Sequence, residues 1–120
     1  MSLSSLFGIG AEAVLQAFHR SQAIISFSPD GTILEANENF FFSFGYEEKE
    51  IVGRHHRTFV DANEASSDAY KQFWNRLSSG EFDQGQYKRI SKSGQEVWIE
   101  ASYNPVLRGG KVIKIVKIAS

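Results

Sequence analysis

The sequence predicts an α+β fold, in which short helices lie between a β-hairpin and a three-stranded antiparallel meander. Three observations predict this arrangement. Residues 23–36 contain two apolar segments around a turn signal, and residues 37–80 place apolar side chains at helical spacing. Residues 84–120 contain three strand-like segments separated by two glycine-containing turns.

The chain begins with a predicted amphipathic helix over roughly residues 11–20. Its apolar side chains recur at helical spacing, and they are Phe7, Ala11, Val14, Leu15 and Phe18. No second helix adjacent in sequence covers this stripe, so we expect it to bury against the sheet or in a homodimer. The expected division is residues 1–21 for this helix and residues 22–120 for the domain that follows.

The hairpin and the first internal helix have clear boundaries. Strands Ala23–Phe27 and Thr32–Ala36 flank the turn Pro29-Asp30-Gly31. Asn37 is then a suitable N-cap for a helix that ends at Gly45. That helix carries Phe40, Phe41 and Phe44.

Two further helices are predicted before the meander. A short helix begins at Tyr46 and ends near Gly53, and a longer one is capped by Ser66 or Ser67 and ends at Gly80. The longer helix has one apolar stripe at positions i, i+3, i+4 and i+7, formed by Tyr70, Phe73, Trp74 and Leu77. The meander strands are then 84–91 and two strands within 96–120 that are joined by Arg108-Gly109-Gly110.

Composition narrows the class of protein. A chain of 120 residues with 42% hydrophobic residues fits one domain, and a net charge of −1 gives no general attraction to nucleic acid or anionic membranes. No apolar run is long enough to span a bilayer, so we expect no membrane contact. With no cysteine and no visible signal peptide, the simplest expected location is the cytoplasm.

Basic side chains are concentrated near the carboxyl end. We expect them on the solvent side of the strands, where they prevent edge pairing, rather than in a nucleic-acid site. They are Lys88, Arg89, Lys92, Arg108, Lys111, Lys114 and Lys117.

The sequence does not predict an enzyme. It contains no phosphate-binding glycine loop, no His-Glu-x-x-His pair and no Gly-x-Ser-x-Gly turn. His55, His56 and Asp61 lie close in sequence, but no nucleophile accompanies them. We interpret them as part of a polar loop.

Two segments carry a resemblance to a known family. Residues 28–56, SPDGTILEANENFFFSFGYEEKEIVGRHH, and residues 73–106, FWNRLSSGEFDQGQYKRISKSGQEVWIEASYNPV, resemble the PAS sensory domains of bacterial chemotaxis and aerotaxis receptors. The resemblance covers roughly residues 22–120. It implies a five-stranded antiparallel sheet of order 2-1-5-4-3 with the helices on one face.

The resemblance also implies a function. Such a domain senses a small ligand, or a redox or oxygen state, and relays it to a C-terminal signalling domain. The alternative is a PAS domain without ligand that acts as an interaction and dimerisation scaffold.

Haem and flavin adenine dinucleotide are the cofactors that the resemblance implies, with an empty domain as the third alternative. The expected cavity lies between residues 46–59 and the inner face of the sheet, with His55 and His56 at its mouth. Either imidazole can serve as an axial ligand to haem iron, although adjacent histidines do not easily point at one metal ion. The other expected cofactor-binding residues are Arg54, Arg57, Asn37, Trp74, Trp98 and Asn104.

Overall fold

The computed structural model describes residues 10–120. The first helix is α1 (Ala11–Ser21), and the hairpin strands are β1 (Ala23–Phe27) and β2 (Ile33–Ala36). The helical segment contains α2 (Glu38–Phe44), α3 (Glu48–Ile51), a 3₁₀ helix (His56–Phe59), α4 (Ala62–Ala65) and α5 (Asp68–Ser78). The meander strands are β3 (Asp83–Ile90), β4 (Glu96–Arg108) and β5 (Lys111–Ala119).

The five strands form one antiparallel sheet in the order β2-β1-β5-β4-β3. This confirms the order that the resemblance implies. The strand that comes last in the sequence, β5, therefore lies at the centre of the sheet. On β5, Lys117 pairs with Ile25 of β1 on one side and with Tyr103 of β4 on the other.

Local hydrogen bonds explain the helix boundaries that the sequence predicts. The side-chain oxygen of Asn37 accepts a hydrogen bond from the Phe40 N–H at 3.1 Å, and the Ser67 hydroxyl accepts one from the Tyr70 N–H at 3.2 Å. Gly45 ends α2 with a φ of 78°, which a residue without Cβ adopts at little cost. The 3₁₀ helix and α4 were not predicted; side-chain caps from His55 and Asp61 begin them.

The two faces of the sheet have different surroundings. Along β4, Ile99, Ala101 and Tyr103 are buried beneath the helices, whereas Trp98 on the outer face is 67% exposed. This is the alternation expected of a strand with one covered face. The hydrophobic core lies between the inner face and helices α2 to α5.

Only part of the apolar stripe of α1 is buried. Val14 is 8% exposed, but Leu15 and Phe18 are 51% and 46% exposed. These two side chains border a groove of about 330 Å³ on the outer face of the sheet, with Val116 and Ile118 among its lining residues. The helix thus lies beside the outer face without covering it, and Phe7 lies outside the described residues.

Candidate functional site

The two adjacent histidines lie in different environments. His55 is half-buried; its Nε2 is 2.9 Å from the Asp30 carbonyl oxygen, and its Nδ1 accepts a hydrogen bond from the Arg57 N–H at 3.0 Å. A Cβ at position 31 would collide with this imidazole, which explains Gly31 in the hairpin turn. His56 is 0% exposed and belongs to the core. The two imidazoles therefore point into different surroundings.

His56 connects the helical side of the domain to the sheet. Its Nδ1 is 2.7 Å from the Tyr70 hydroxyl on α5, and its Nε2 is 2.9 Å from the Tyr103 hydroxyl on β4. Burial lowers the pKa of His56 well below its usual value, and the nearby positive charge of Arg89 lowers it further. The imidazole is therefore neutral at physiological pH and has one donor and one acceptor nitrogen.

The neighbours of Tyr103 indicate which nitrogen of His56 carries the proton. Arg89 Nη2 donates to the Tyr103 hydroxyl oxygen at 3.2 Å, which leaves the hydroxyl proton free to be donated to His56 Nε2. The Nδ1–H group of His56 can then donate to Tyr70. The resulting chain of hydrogen bonds runs from Arg89 through Tyr103 and His56 to Tyr70.

Arg89 joins these hydrogen-bonded side chains to the helical segment through an ion pair. It is 2% exposed, and its Nη1 lies 3.1 Å from a carboxylate oxygen of Glu64 on α4. The same Nη1 donates to the Lys88 carbonyl oxygen at 2.9 Å. Its Nε is buried and has no hydrogen-bond partner among the described residues.

Lys117 is the second buried cationic side chain at the inner face. It is 1% exposed, and its Nζ has no hydrogen-bond partner within residues 10–120. The Nζ lies 5.2 Å from the ring centroid of Tyr103 and 5.8 Å from that of Phe44. Burial, together with the charge of Arg89, lowers the pKa of Lys117 well below its usual value. We refer to His56, Tyr70, Tyr103, Arg89, Glu64 and Lys117 as the inner polar cluster.

The structure brings three of the predicted site residues, His55, His56 and Trp74, close together; the ring centroids of His55 and Trp74 are 5.7 Å apart. The Trp74 ring packs edge-on, 5.3 Å from His56 and 5.5 Å from Phe27. Arg54 and Arg57 are exposed. They do not belong to the inner polar cluster.

The remaining predicted residues lie elsewhere. Trp98 and Asn104 are on the outer face of β4, and the Asn104 amide donates to the Val116 carbonyl oxygen at 3.1 Å. Asn37 is the cap of α2, and its side-chain oxygen also accepts from the Ile24 N–H at 3.0 Å. In this structure these contacts give Asn37 and Asn104 structural roles.

The expected position of His56 at a cavity mouth is wrong. His56, Phe59 and Phe40 are all at most 1% exposed, so none of these side chains lies at the mouth of an open cavity. The side chain of His56 points inward because the 3₁₀ helix turns it towards the two tyrosine hydroxyls, while His55 remains at the surface.

The residues present do not fit haem or flavin in this arrangement. Both ring nitrogens of each predicted haem ligand, His55 and His56, already take part in hydrogen bonds. Trp98 and Asn104, expected to bind flavin, lie on the face of the sheet opposite Trp74. Within residues 10–120, no group of three or more His, Asp or Glu side chains is arranged to hold a metal ion.

Sequence reasoning missed most of the inner polar cluster. It placed Arg89 and Lys117 on the solvent side of their strands, and both are buried. A signal was present, because Ile115, Lys117 and Ala119 alternate in register on the covered face of β5. A charged residue at such a position is expensive to bury and marks a site that deserves a separate explanation.

The family comparison covers most of the domain. Residues 33–119 match the PAS fold family. The biofilm dispersion protein BdlA of Pseudomonas aeruginosa is 47% identical over 107 residues, which is 88% of this chain and 26% of that protein. The aerotaxis receptor of Escherichia coli is 31% identical over 80 residues, which is 67% of this chain and 16% of the receptor. The chain thus spans a small part of these relatives.

A solved structure supports the same assignment of fold. A domain of the sensory box sensor histidine kinase/response regulator from Geobacter sulfurreducens has a TM-score of 0.75 and 20% identity, with 91% of each chain covered. Among the described helices, none is long and apolar enough to cross a membrane. The resemblance predicted from the hairpin and meander motifs is confirmed, and the chain belongs to the PAS fold family.

Proposed function

We propose that the chain is the sensory module of a bacterial chemotaxis-type receptor, acting in the cytoplasm. It senses a small ligand, or a redox or oxygen state, and relays it to a C-terminal output domain. The observation that carries this proposal is the buried hydrogen-bond chain through His56, which joins α5 to the sheet. Similarity to BdlA and to the aerotaxis receptor, both much longer than this chain, supports the receptor context.

The sheet offers a short route for the relay. Lys117 and Tyr103 face the cluster from the paired strands β5 and β4, and β5 ends at Ala119, two residues after Lys117. A change in the hydrogen bonds of the cluster alters the packing of β5 directly. Such a shift biases whatever element follows the strand, as in other two-state signalling domains.

The proposed role is not catalytic. Burial raises the pKa of Tyr70 and of Tyr103 to about 12, so neither hydroxyl is a ready nucleophile near neutral pH. The neutral imidazole of His56 lies between these two hydroxyls and is 0% exposed. These groups serve as parts of a switch.

The test is Tyr103→Phe in the full receptor. This change removes the hydroxyl that joins Arg89 to His56 and keeps the ring that packs in the core. We expect a changed receptor output in response to stimulus, at normal protein levels. Tyr46→Phe is the matched control, because Tyr46 is half-buried and packs on Phe59 outside the cluster. A wild-type response from both variants contradicts the proposal.

Haem and flavin binding stay predictions. Either cofactor requires the inner aromatic side chains to move, and haem also requires a histidine to give up a hydrogen bond. An absorption spectrum of protein produced with haem and flavin supplements tests both at once. A Soret band lost in His55→Ala or His56→Ala supports haem, and a colourless protein contradicts both cofactors.

One observation favours a second candidate function, the dimerisation scaffold without ligand. Leu15 and Phe18 of α1 remain about half exposed beside the outer face of the sheet. In this alternative the domain contributes an association surface and no sensing. A receptor that responds normally with Tyr103→Phe and loses its response when Leu15 and Phe18 become polar supports the scaffold.

A further inference from the structure

The inner polar cluster contains more hydrogen-bond donors than its partners satisfy. Glu64 pairs with Arg89, but no carboxylate within residues 10–120 pairs with Lys117. Four buried side-chain atoms within residues 10–120 have no hydrogen-bond partner, and two of them, Lys117 Nζ and Arg89 Nε, belong to this cluster. Both side chains approach Tyr103, because Arg89 donates to its hydroxyl and Lys117 lies over its ring.

Such an imbalance is costly in a protein interior. A buried amine without a hydrogen bond loses its hydration and regains only the weak attraction of the aromatic faces. Replacing it by an apolar side chain would remove that cost. An acceptor that carries negative charge would instead satisfy the free donors and stabilise the charged form of the amine.

We propose that the inner polar cluster binds a small monovalent anion, a carboxylate such as formate or acetate or an inorganic ion such as chloride, beside Lys117 and Arg89. This inference rests on the proposed sensory function and names the class of ligand. The ligand is small because the rings of Phe44 and Tyr103, each at most 2% exposed, enclose the amine.

Binding is coupled to a proton. Burial disfavours the charged form of the Lys117 amine in the free protein, and an adjacent anion favours that form. Anion binding is therefore expected to increase the protonation of this amine. The other titratable or charged groups that face this position are Tyr103 on β4, Arg89 on β3 and His56 on the 3₁₀ helix.

The uptake is assigned to Lys117 for physical reasons. The pKa of Tyr103 is raised to about 12, so this tyrosine is already protonated at pH 8. Arg89 is protonated at every accessible pH. His56 remains the other possible proton acceptor, and a variant of Lys117 separates the two.

The experiment is calorimetric titration of the chain with sodium formate, sodium acetate and sodium chloride at pH 8, in a background salt with a bulky anion. Buffers of different ionisation enthalpy report the number of protons taken up. We expect saturable binding with an uptake of up to about one proton per anion. Comparison of the three salts distinguishes a carboxylate from an inorganic ligand.

Lys117→Met keeps an unbranched side chain that is one atom shorter and removes the amine. We expect the dissociation constant to rise at least about tenfold and the proton uptake to disappear. Lys114→Met is the matched control, because Lys114 lies on the same strand but on the outer face, and binding should be unchanged. Circular dichroism confirms that both variants fold.

Three results overturn the inference: no saturable binding by wild-type protein, wild-type affinity in Lys117→Met, or binding without proton uptake. Should Lys117→Met fail to fold, the same titration of His56→Gln decides the question: uptake that persists without the imidazole belongs to Lys117, and uptake that disappears overturns the assignment. If the receptor response depends on Tyr103 but the domain binds no anion, the anion inference is wrong and the proposed sensory function stands. If the domain binds the anion but the receptor response is unchanged by Tyr103→Phe, the proposed sensory function is contradicted.

Discussion

At position 117 the chain carries an amine where the neighbouring inward positions carry Ile115 and Ala119. The amine lowers the stability of the domain at neutral pH, because the unfolded chain can protonate it and the folded domain resists doing so. A residue that reduces stability at a buried position is typical of a functional site. The same argument applies to the neutral imidazole of His56 at lower pH.

The first prediction follows from this proton linkage. Since the folded pKa of Lys117 is depressed, the unfolded chain binds more protons between that pKa and about 10.5, and stability rises with pH there. From about pH 8 to pH 9.5 the free energy of unfolding should rise by at most about 1.4 kcal/mol per pH unit from this residue. Urea titrations at several pH values measure the slope.

Variants isolate the contribution of Lys117. Lys117→Met should be more stable than wild type near neutral pH and should lose this slope, whereas Lys114→Met should keep it. His56 adds nothing in this range, because its imidazole is neutral in both states above its ordinary pKa of about 6.5. Tyr70 and Tyr103 affect stability only above about pH 10. Equal slopes in wild type and Lys117→Met would mean that the buried amine is charged.

At the scale of elements, α5 provides the wall of the inner polar cluster on the helical side. Its stripe of Tyr70, Phe73, Trp74 and Leu77 is buried, as the spacing of these residues predicts. Trp74 packs against Phe27 of β1 and against His56. The helix therefore supports the position of the imidazole as well as the core.

The second prediction tests this support. Trp74→Ala should lower the free energy of unfolding by about 3–5 kcal/mol, because it removes a large buried ring and leaves a cavity beside His56. Chemical denaturation measures the change. Trp98→Ala is the control, since Trp98 is 67% exposed on the outer face, and its cost should stay within about 0.5 kcal/mol. A small effect at Trp74 would place that ring outside the core.

At the scale of the whole molecule, the two sides of the sheet have different roles in our proposal. The inner face holds the polar cluster beneath the helices. The outer face carries a partly apolar groove, and Leu15 and Phe18 of α1 lie at its border. An apolar helix surface that the domain leaves about half exposed is suited to association with a second copy.

The third prediction is that the chain forms a homodimer through α1. Deleting residues 1–20 should weaken association, and so should replacing Leu15 and Phe18 by serine. Gln16→Ser is the control, because Gln16 is exposed on the same helix and does not line the groove. Sedimentation equilibrium measures the dimer dissociation constant. An unchanged constant in the truncated chain rules out this mode of association.

The sequence by itself determined the elements whose signals are local. The turns at Gly31 and Gly109-Gly110, the cap at Asn37 and the stripe of α5 each depend on residues within a few positions of one another. Local backbone preference and side-chain periodicity are sufficient to predict such features. The motifs in the hairpin and meander further identified the family, and with it the order of the strands.

Only the tertiary structure decided what the polar side chains contact. His56 and Tyr103 are 47 residues apart in sequence, and Arg89 and Glu64 are 25 apart. Such pairs form only when the sheet register and the packing of the 3₁₀ helix place both partners at the inner face. Alternation along β5 places Lys114 and Lys117 on opposite faces, but both faces carry apolar residues, so only the strand register decided which lysine points inward. Burial then changed the chemistry of the amine, because desolvation depends on the surrounding atoms and not on the neighbours in sequence.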